Sequence, residues 1–178
     1  NAEVRRLSVK NESLNDFKVG YYMDIALSSY DSFNAHPVFK NMFVESMYDE
    51  EYKTIIMHKR SMKKDGDIYA GFVIRGLTDI KVETNRFNLL GRNGSEKKPV
   101  FFTNENMATE YPSLGDVLEP AVGFIGTFAT EERECQLITI IAHSLEELYS
   151  AIRMLPDDFY SFAKESSRTK LPCPLLTN

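Results

Sequence analysis

The sequence predicts an α+β fold: an antiparallel β-sheet packed against a few helices, in a single domain over residues 1–178. Three observations lead there. The middle of the chain alternates apolar and polar residues with period two, as in Ile68, Ala70, Phe72 and Ile74. The later part carries helix-start signals followed by apolar stripes at helical spacing, best seen from Ser144 onward. Strand signals and helix signals are segregated along the chain rather than interleaved, which favours α+β over a parallel α/β sheet.

In chain order, residues 1–16 are polar and charged and read as irregular. Residues 35–53 hold a helix beginning after Pro37, and residues 52–60, "YKTIIMHKR", a short strand. Asp65-Gly66 is a hairpin turn leading into a second strand, "DIYAGFVIR", with Tyr69, Val73 and Arg75 on its other face. "DIKVET" (79–84) alternates again through Ile80 and Val82. "RFNLLG" and "KKPVFFTN" form another hairpin about Asn93-Gly94.

Residues 112–128, "PSLGDVLEPAVGFIGTF", place Leu114, Val117, Leu118, Ala121, Val122 and Ile125 on one helical face. Ser113 and Asp116 resemble a capping box for this helix. Pro120 would cost about 3 kcal/mol inside it. The conflict eases if Pro120 stands in a bend or in the true first turn, with Asp116 or a neighbour as N-cap. "ECQLITIIA" (134–142) is a buried strand. Ser144 and Glu147 form an S-x-x-E capping box before a helix striped by Leu145, Leu148, Ile152 and Leu155, which Pro156 stops. Asp157 or Asp158 caps a last short helix, "FYSFAKE", and 166–178 read as irregular around Pro172 and Pro174.

The chain has 178 residues, 43% of them apolar and 26% charged, enough for one domain with a real core. A net charge of -5 excludes strong nonspecific binding to nucleic acid through phosphates, though not stacking on a base. Two cysteines, Cys135 and Cys173, make no disulfide framework and read as reduced thiols in an intracellular compartment. No apolar run approaches a membrane span, so no membrane partner is expected. A start at Asn1, with neither Met nor a leader pattern, suggests a piece of a larger protein.

Chemistry-bearing patterns are sparse. His36, His58 and His143 lie apart, without metal-ligand spacing, and no nucleophile-elbow, zinc-helix, phosphate-loop or dinucleotide motif is present. No cofactor, no metal and no catalytic residue is expected, and the chain reads as a non-catalytic binding domain. The adjacent acids Glu50-Glu51, Glu131-Glu132 and Asp157-Asp158 read as solvated or capping charge. The adjacent ring pairs Tyr21-Tyr22, Phe101-Phe102 and Phe159-Tyr160 would each expose one member if in strands. Basic residues cluster in "MHKRSMKK" (57–64) and in Lys97-Lys98 with Arg86 and Arg92 nearby.

From about Ile80 to Leu175 the order of elements resembles the middle region of the polymerase basic subunit two of orthomyxoviruses, the thogotovirus branch above all. The residues that carry the resemblance are Asp79-Ile80-Lys81-Val82, Phe101-Phe102-Thr103, Leu118-Glu119-Pro120 and Gly126-Thr127-Phe128. The strand to Ala142, the helix from Ser144 and Leu171-Pro172-Cys173-Pro174-Leu175 complete it. The resemblance implies a domain of a viral RNA-dependent RNA polymerase subunit that binds the 7-methylguanosine cap of host mRNA for cap-snatching, with an intact or a degenerate site. A cationic methylated base held between two rings is the physics of such a site. Carried over residue by residue, Phe128 (or Phe124) and Phe87 would be the walls, Glu83 the base-reading carboxylate and Lys97 or Lys98 its support. Tyr22, Tyr21 or Phe17 would supply a further ring. The implied partners are other viral polymerase subunits and capped host RNA or 7-methyl-GTP, with no DNA; the implied location is the host nucleus and the virion. The alternative is a non-catalytic protein-interaction module, because "ECQLITIIAHSLEELYSAIRML" also resembles the last strand and helix of a pleckstrin-homology fold, without its usual Trp.

Overall fold

Residues Ile68–Arg75 alternate, yet both of their faces are buried: Ala70, Phe72 and Ile74 point into one apolar cluster and Val73 into another. A strand of this kind belongs inside a layered molecule, with a second sheet on one face and helices on the other. The computed structural model describes residues 2–10, 18–27, 44–60, 66–92, 94–103, 112–129 and 133–167.

Nine strands are found among the described residues: β1 (Ala2–Ser8), β2 (Val19–Asp24), β3 (Val44–Asp49), β4 (Thr54–Lys59), β5 (Ile68–Arg75), β6 (Leu77–Asn85), β7 (Gly115–Asp116), β8 (Pro120–Phe128) and β9 (Glu134–Ala142). Four helices accompany them: α1 (Arg86–Leu90), α2 (Val100–Thr103), α3 (Leu145–Arg153) and α4 (Phe159–Ser167). Six strands form one sheet in the order β1-β9-β5-β4-β3-β7, and three form a second in the order β2-β8-β6. The larger sheet is antiparallel at every pairing, with Val73 opposite Ile138 and Ile56 opposite Gly71.

The main core lies between the sheets. Val44, Ile55, Met57, Phe72, Ile74 and Leu137 meet Val19, Val82, Val122 and Phe124 there. One polar bridge crosses with them: the Ser46 and Thr84 hydroxyls share a hydrogen bond of 2.7 Å, both residues buried. The outer face of the larger sheet is covered by Leu148 and Ile152 of α3 and Phe159 of α4. The outer face of the smaller sheet is covered by Leu89 of α1 and Phe101 of α2. Two glycines allow the helices this close. A Cβ on Gly123 would stand 2.1 Å from a Leu89 methyl, and one on Gly71 2.8 Å from a Leu148 methyl.

This architecture replaces the predicted α+β fold of one sheet and several helices with a two-sheet β-sandwich. The largest change falls on residues 112–128. Here β8 pairs with β2 on one side and β6 on the other. Val122 and Phe124 face the main core, while Ala121 and Ile125 face α1 and α2. A strand buried on both faces is a continuous apolar run, and such a run also satisfies helical spacing. Pro120 is tolerated because it is the first residue of the strand, where a missing donor does least harm. Ser113 and Asp116 cap nothing; Gly115 and Asp116 pair with β3 instead.

Residues 44–49, expected in a helix, are β3, with Val44 and Ser46 inward; the helix start after Pro37 lies outside the described residues. The hairpin expected about Asn93-Gly94 is instead α1 and α2, because Leu89, Leu90 and Phe101 must turn together onto the smaller sheet. Ala2–Ser8, in a stretch expected to be irregular, is an edge strand paired with β9. β4, β5, β9, α3 and α4 stand where the sequence puts them. Ser144 accepts from the Glu147 amide at 3.1 Å, and Asp158 from the Ser161 amide at 3.0 Å.

Candidate functional site

The candidate site is built on the junction between β6 and α1. The pairing of β6 with β8 shifts register between Glu83 and Asn85, which releases backbone amides from the ladder. Glu83 takes them up. Its Oε1 accepts from the Thr84 amide at 2.9 Å and the Asn85 amide at 2.8 Å. Its Oε2 accepts from Asn88 at 3.3 Å and from the Ser113 hydroxyl at 3.4 Å. The residue is only 1% exposed. Asn85 then caps α1 by accepting from the Phe87 amide at 2.9 Å. Gly91, with φ of 82°, ends the helix and donates to the Phe87 carbonyl at 2.8 Å.

This short, tightly held helix turns Leu89 and Leu90 inward and leaves Phe87 52% exposed. Phe87 lines a groove of about 580 Å³ together with Leu90, Arg92, Glu96, Lys97 and Glu119. Arg86 forms part of the wall and is held from three sides. Its Nε donates to Asp24 of β2 at 3.0 Å, and its two Nη groups stand 3.6 Å from Glu96 and 3.8 Å from Glu119. The Tyr22 hydroxyl also donates to Asp24. Burial, and then the Asp24 carboxylate, push that phenol up to about 12.

The residues proposed from the sequence are divided by this geometry. Phe87 and Lys97 share the groove. Tyr22 reaches its edge through Asp24 and Arg86. Lys98 is exposed and outside the lining. Glu83 lies inside the junction, with both oxygens engaged by the chain. Phe128 is far away: it pairs with Leu77, whereas Pro120 at the other end of β8 pairs with Asn85, next to α1. Eight residues of strand separate the two ends, roughly 26 Å. Phe128 and Phe87 therefore do not form two walls of one site. Phe124 is buried and already stacked on Tyr21, with ring centroids 5.4 Å apart.

Asp24 and Glu96 carry no signal in the sequence, and Glu119 stands out there only within Leu118-Glu119-Pro120, with no site role. That stretch, expected in a helix, is in fact a strand entry, and Asp24 comes to Arg86 only through β2–β8 pairing. Arg86 and Arg92 carried one signal, their nearness to Lys97-Lys98.

Elsewhere, His58 stacks on Tyr69 at 4.3 Å, with its ring nitrogens 2.9 Å from Asp67 and 3.5 Å from Glu45. Among the described residues no group of three His, Cys, Asp or Glu side chains could hold a metal ion, and no helix is long and apolar enough to cross a membrane.

Two antiparallel sheets with helix-covered outer faces and a polar groove on one of them define a β-sandwich module. The chain belongs to the glycosyl hydrolase 94 supersandwich domain family, whose model matches residues 1–155. No curated protein matches the chain in sequence. The family overturns the resemblance to an orthomyxovirus polymerase subunit, and with it cap binding and cap-snatching. The short motifs behind that resemblance fall on elements of the sandwich: Gly126-Thr127-Phe128 ends β8, Leu118-Glu119-Pro120 enters it, and Phe101-Phe102-Thr103 lies in α2. The pleckstrin-homology alternative falls too. Its strand and helix exist as β9 and α3, but inside a two-sheet sandwich.

Proposed function

We propose that the chain is a non-catalytic module of a glycoside-processing enzyme, working beside a catalytic domain that it supports. Family membership supplies the chemical context. Glycoside hydrolysis ordinarily needs two carboxyl groups flanking the bond, one of them able to deliver a proton, about 5–5.5 or 6.5–9.5 Å apart. The observation that carries the reading is the state of the carboxylates near the groove. Glu96 and Glu119 are exposed, with side-chain accessibilities of 63% and 59%, and Arg86 stands between them as a shared cation. Glu83, the one carboxylate there that is buried, is fully engaged by backbone and side-chain donors.

The test is turnover. The chain is incubated with a panel of oligosaccharides, with water or inorganic phosphate as acceptor, and released sugar is measured. No release above background is expected. Release that disappears in Glu96→Gln or Glu119→Gln would overturn the reading.

A further inference from the structure

We propose that the groove on α1 binds a neutral saccharide chain, with Phe87 as its stacking platform. The proposal rests on the module reading above for its context and on the groove for its chemistry. Phe87 follows the N-cap of a helix whose Leu89 and Leu90 are 0% and 4% exposed, yet it is 52% exposed itself. A single exposed apolar side chain is ordinary on a protein surface; what sets Phe87 apart is that its ring stands in the lining of a concavity, where a ligand that covered it would gain about 1.5–3 kcal/mol. The face of an aromatic ring is electron-rich and apolar, which suits the C–H face of a pyranose.

The groove that holds the ring is lined by donors and acceptors of both kinds. Lys97 and Arg92 can only donate, while Glu96 and Glu119 can only accept. A sugar hydroxyl does both, so a row of vicinal hydroxyls can satisfy this mixed rim. A phosphate or a nucleotide fits less well. Of the three cations in the lining, Arg86, Arg92 and Lys97, Arg86 is already shared by Asp24, Glu96 and Glu119, and two of those carboxylates line the same groove. The volume of about 580 Å³ lies within the range of small-ligand sites, about 300–1,000 Å³. Arg86 acts here as a positioning residue, holding the two glutamates of the rim.

The experiment uses the 178-residue chain labelled with ¹⁵N. It is titrated with cellotetraose, maltotetraose, laminaritetraose and xylotetraose, and with glucose 6-phosphate as a charged comparator. At least one tetrasaccharide is expected to shift amides of residues 86–97 in a saturable way. Phe87→Ala should weaken that binding roughly tenfold, and Phe87→Tyr should retain it. The same spectra report that each variant is folded. The proposal is overturned if no tetrasaccharide binds, if Phe87→Ala binds unchanged, or if only the sugar phosphate binds. Such a failure leaves the non-catalytic reading standing, because that reading is tested by turnover and not by binding.

Discussion

Glu83 is a carboxylate almost shut off from water, and four donors around it explain why the fold tolerates it. A buried charge is costly unless hydrogen bonds replace its hydration. Here they also hold the bulge that launches α1. Glu83→Ala would strand the Thr84 and Asn85 amides and should cost about 2–4 kcal/mol in urea denaturation. Glu83→Gln keeps one carbonyl acceptor and should cost clearly less; equal losses would mean that packing, not hydrogen bonding, dominates. Gly123 acts by what it lacks. Gly123→Ala drives a methyl into Leu89 and should cost about 1–3 kcal/mol. The two sites touch, so pairing it with Leu89→Ala should cost less than the sum of the single changes. An additive result would show that Gly123 matters for some other reason. Neither role can be read in sequence, because each depends on what another element brings alongside.

At the scale of elements, legibility follows the range of the determining interaction. α3 is readable because its start is a local event among five consecutive residues, His143 to Glu147. Ser144 accepts from the Glu147 amide, and Glu147 reaches back to accept from the His143 amide at 2.8 Å. Ser144→Ala should lose about 1 kcal/mol, with faster amide exchange in the first turn of α3; unchanged exchange there would rule the cap out as a stabiliser. β5 is readable from its period-two alternation, and β9 from a short apolar run with β-branched residues. β8 is not, because its continuous apolar run, buried on both faces, also satisfies helical spacing. β1 was hidden for the opposite reason: an edge strand of polar residues has almost no apolar signature, and only pairing with β9 reveals it. The groove was half visible for the same cause. Phe87 and Lys97 lie close in sequence and both were noticed, whereas Glu119 and Asp24 are brought to Arg86 by β8 and β2.

Across the whole molecule, the layers are tied at their rims by tyrosine hydroxyls, which makes alkaline pH a probe of the assembled sandwich. Tyr21, on the smaller sheet, accepts from Arg5 of the larger sheet at 2.6 Å. Tyr149 of α3 donates to Asp49 of β3 at 2.7 Å. Tyr22 is held differently: it donates to Asp24 of its own strand, beside the groove. Burial raises Tyr21, against the pull of Arg5. Tyr149 is pushed up to about 12, first by its hydrogen bond to Asp49 and then by burial; Tyr22 reaches about 12 through burial first and Asp24 second. An ordinary phenol ionises near 10. Between about pH 10 and 12 the unfolded chain has therefore lost the Tyr22 and Tyr149 protons while the folded one still holds them. The stabilisation is complete below about pH 10 and disappears as the pH rises through about 12. Absorbance titration of the nine tyrosines should show a late-ionising class, reduced in Tyr22→Phe and again in Tyr149→Phe. In the same window, the fall of denaturation free energy with pH should be shallower in each variant than in the parent chain. If the folded protein instead titrates as one class near pH 10, neither hydroxyl is held by its carboxylate, and the Tyr149–Asp49 contact between helix and sheet is not stabilising.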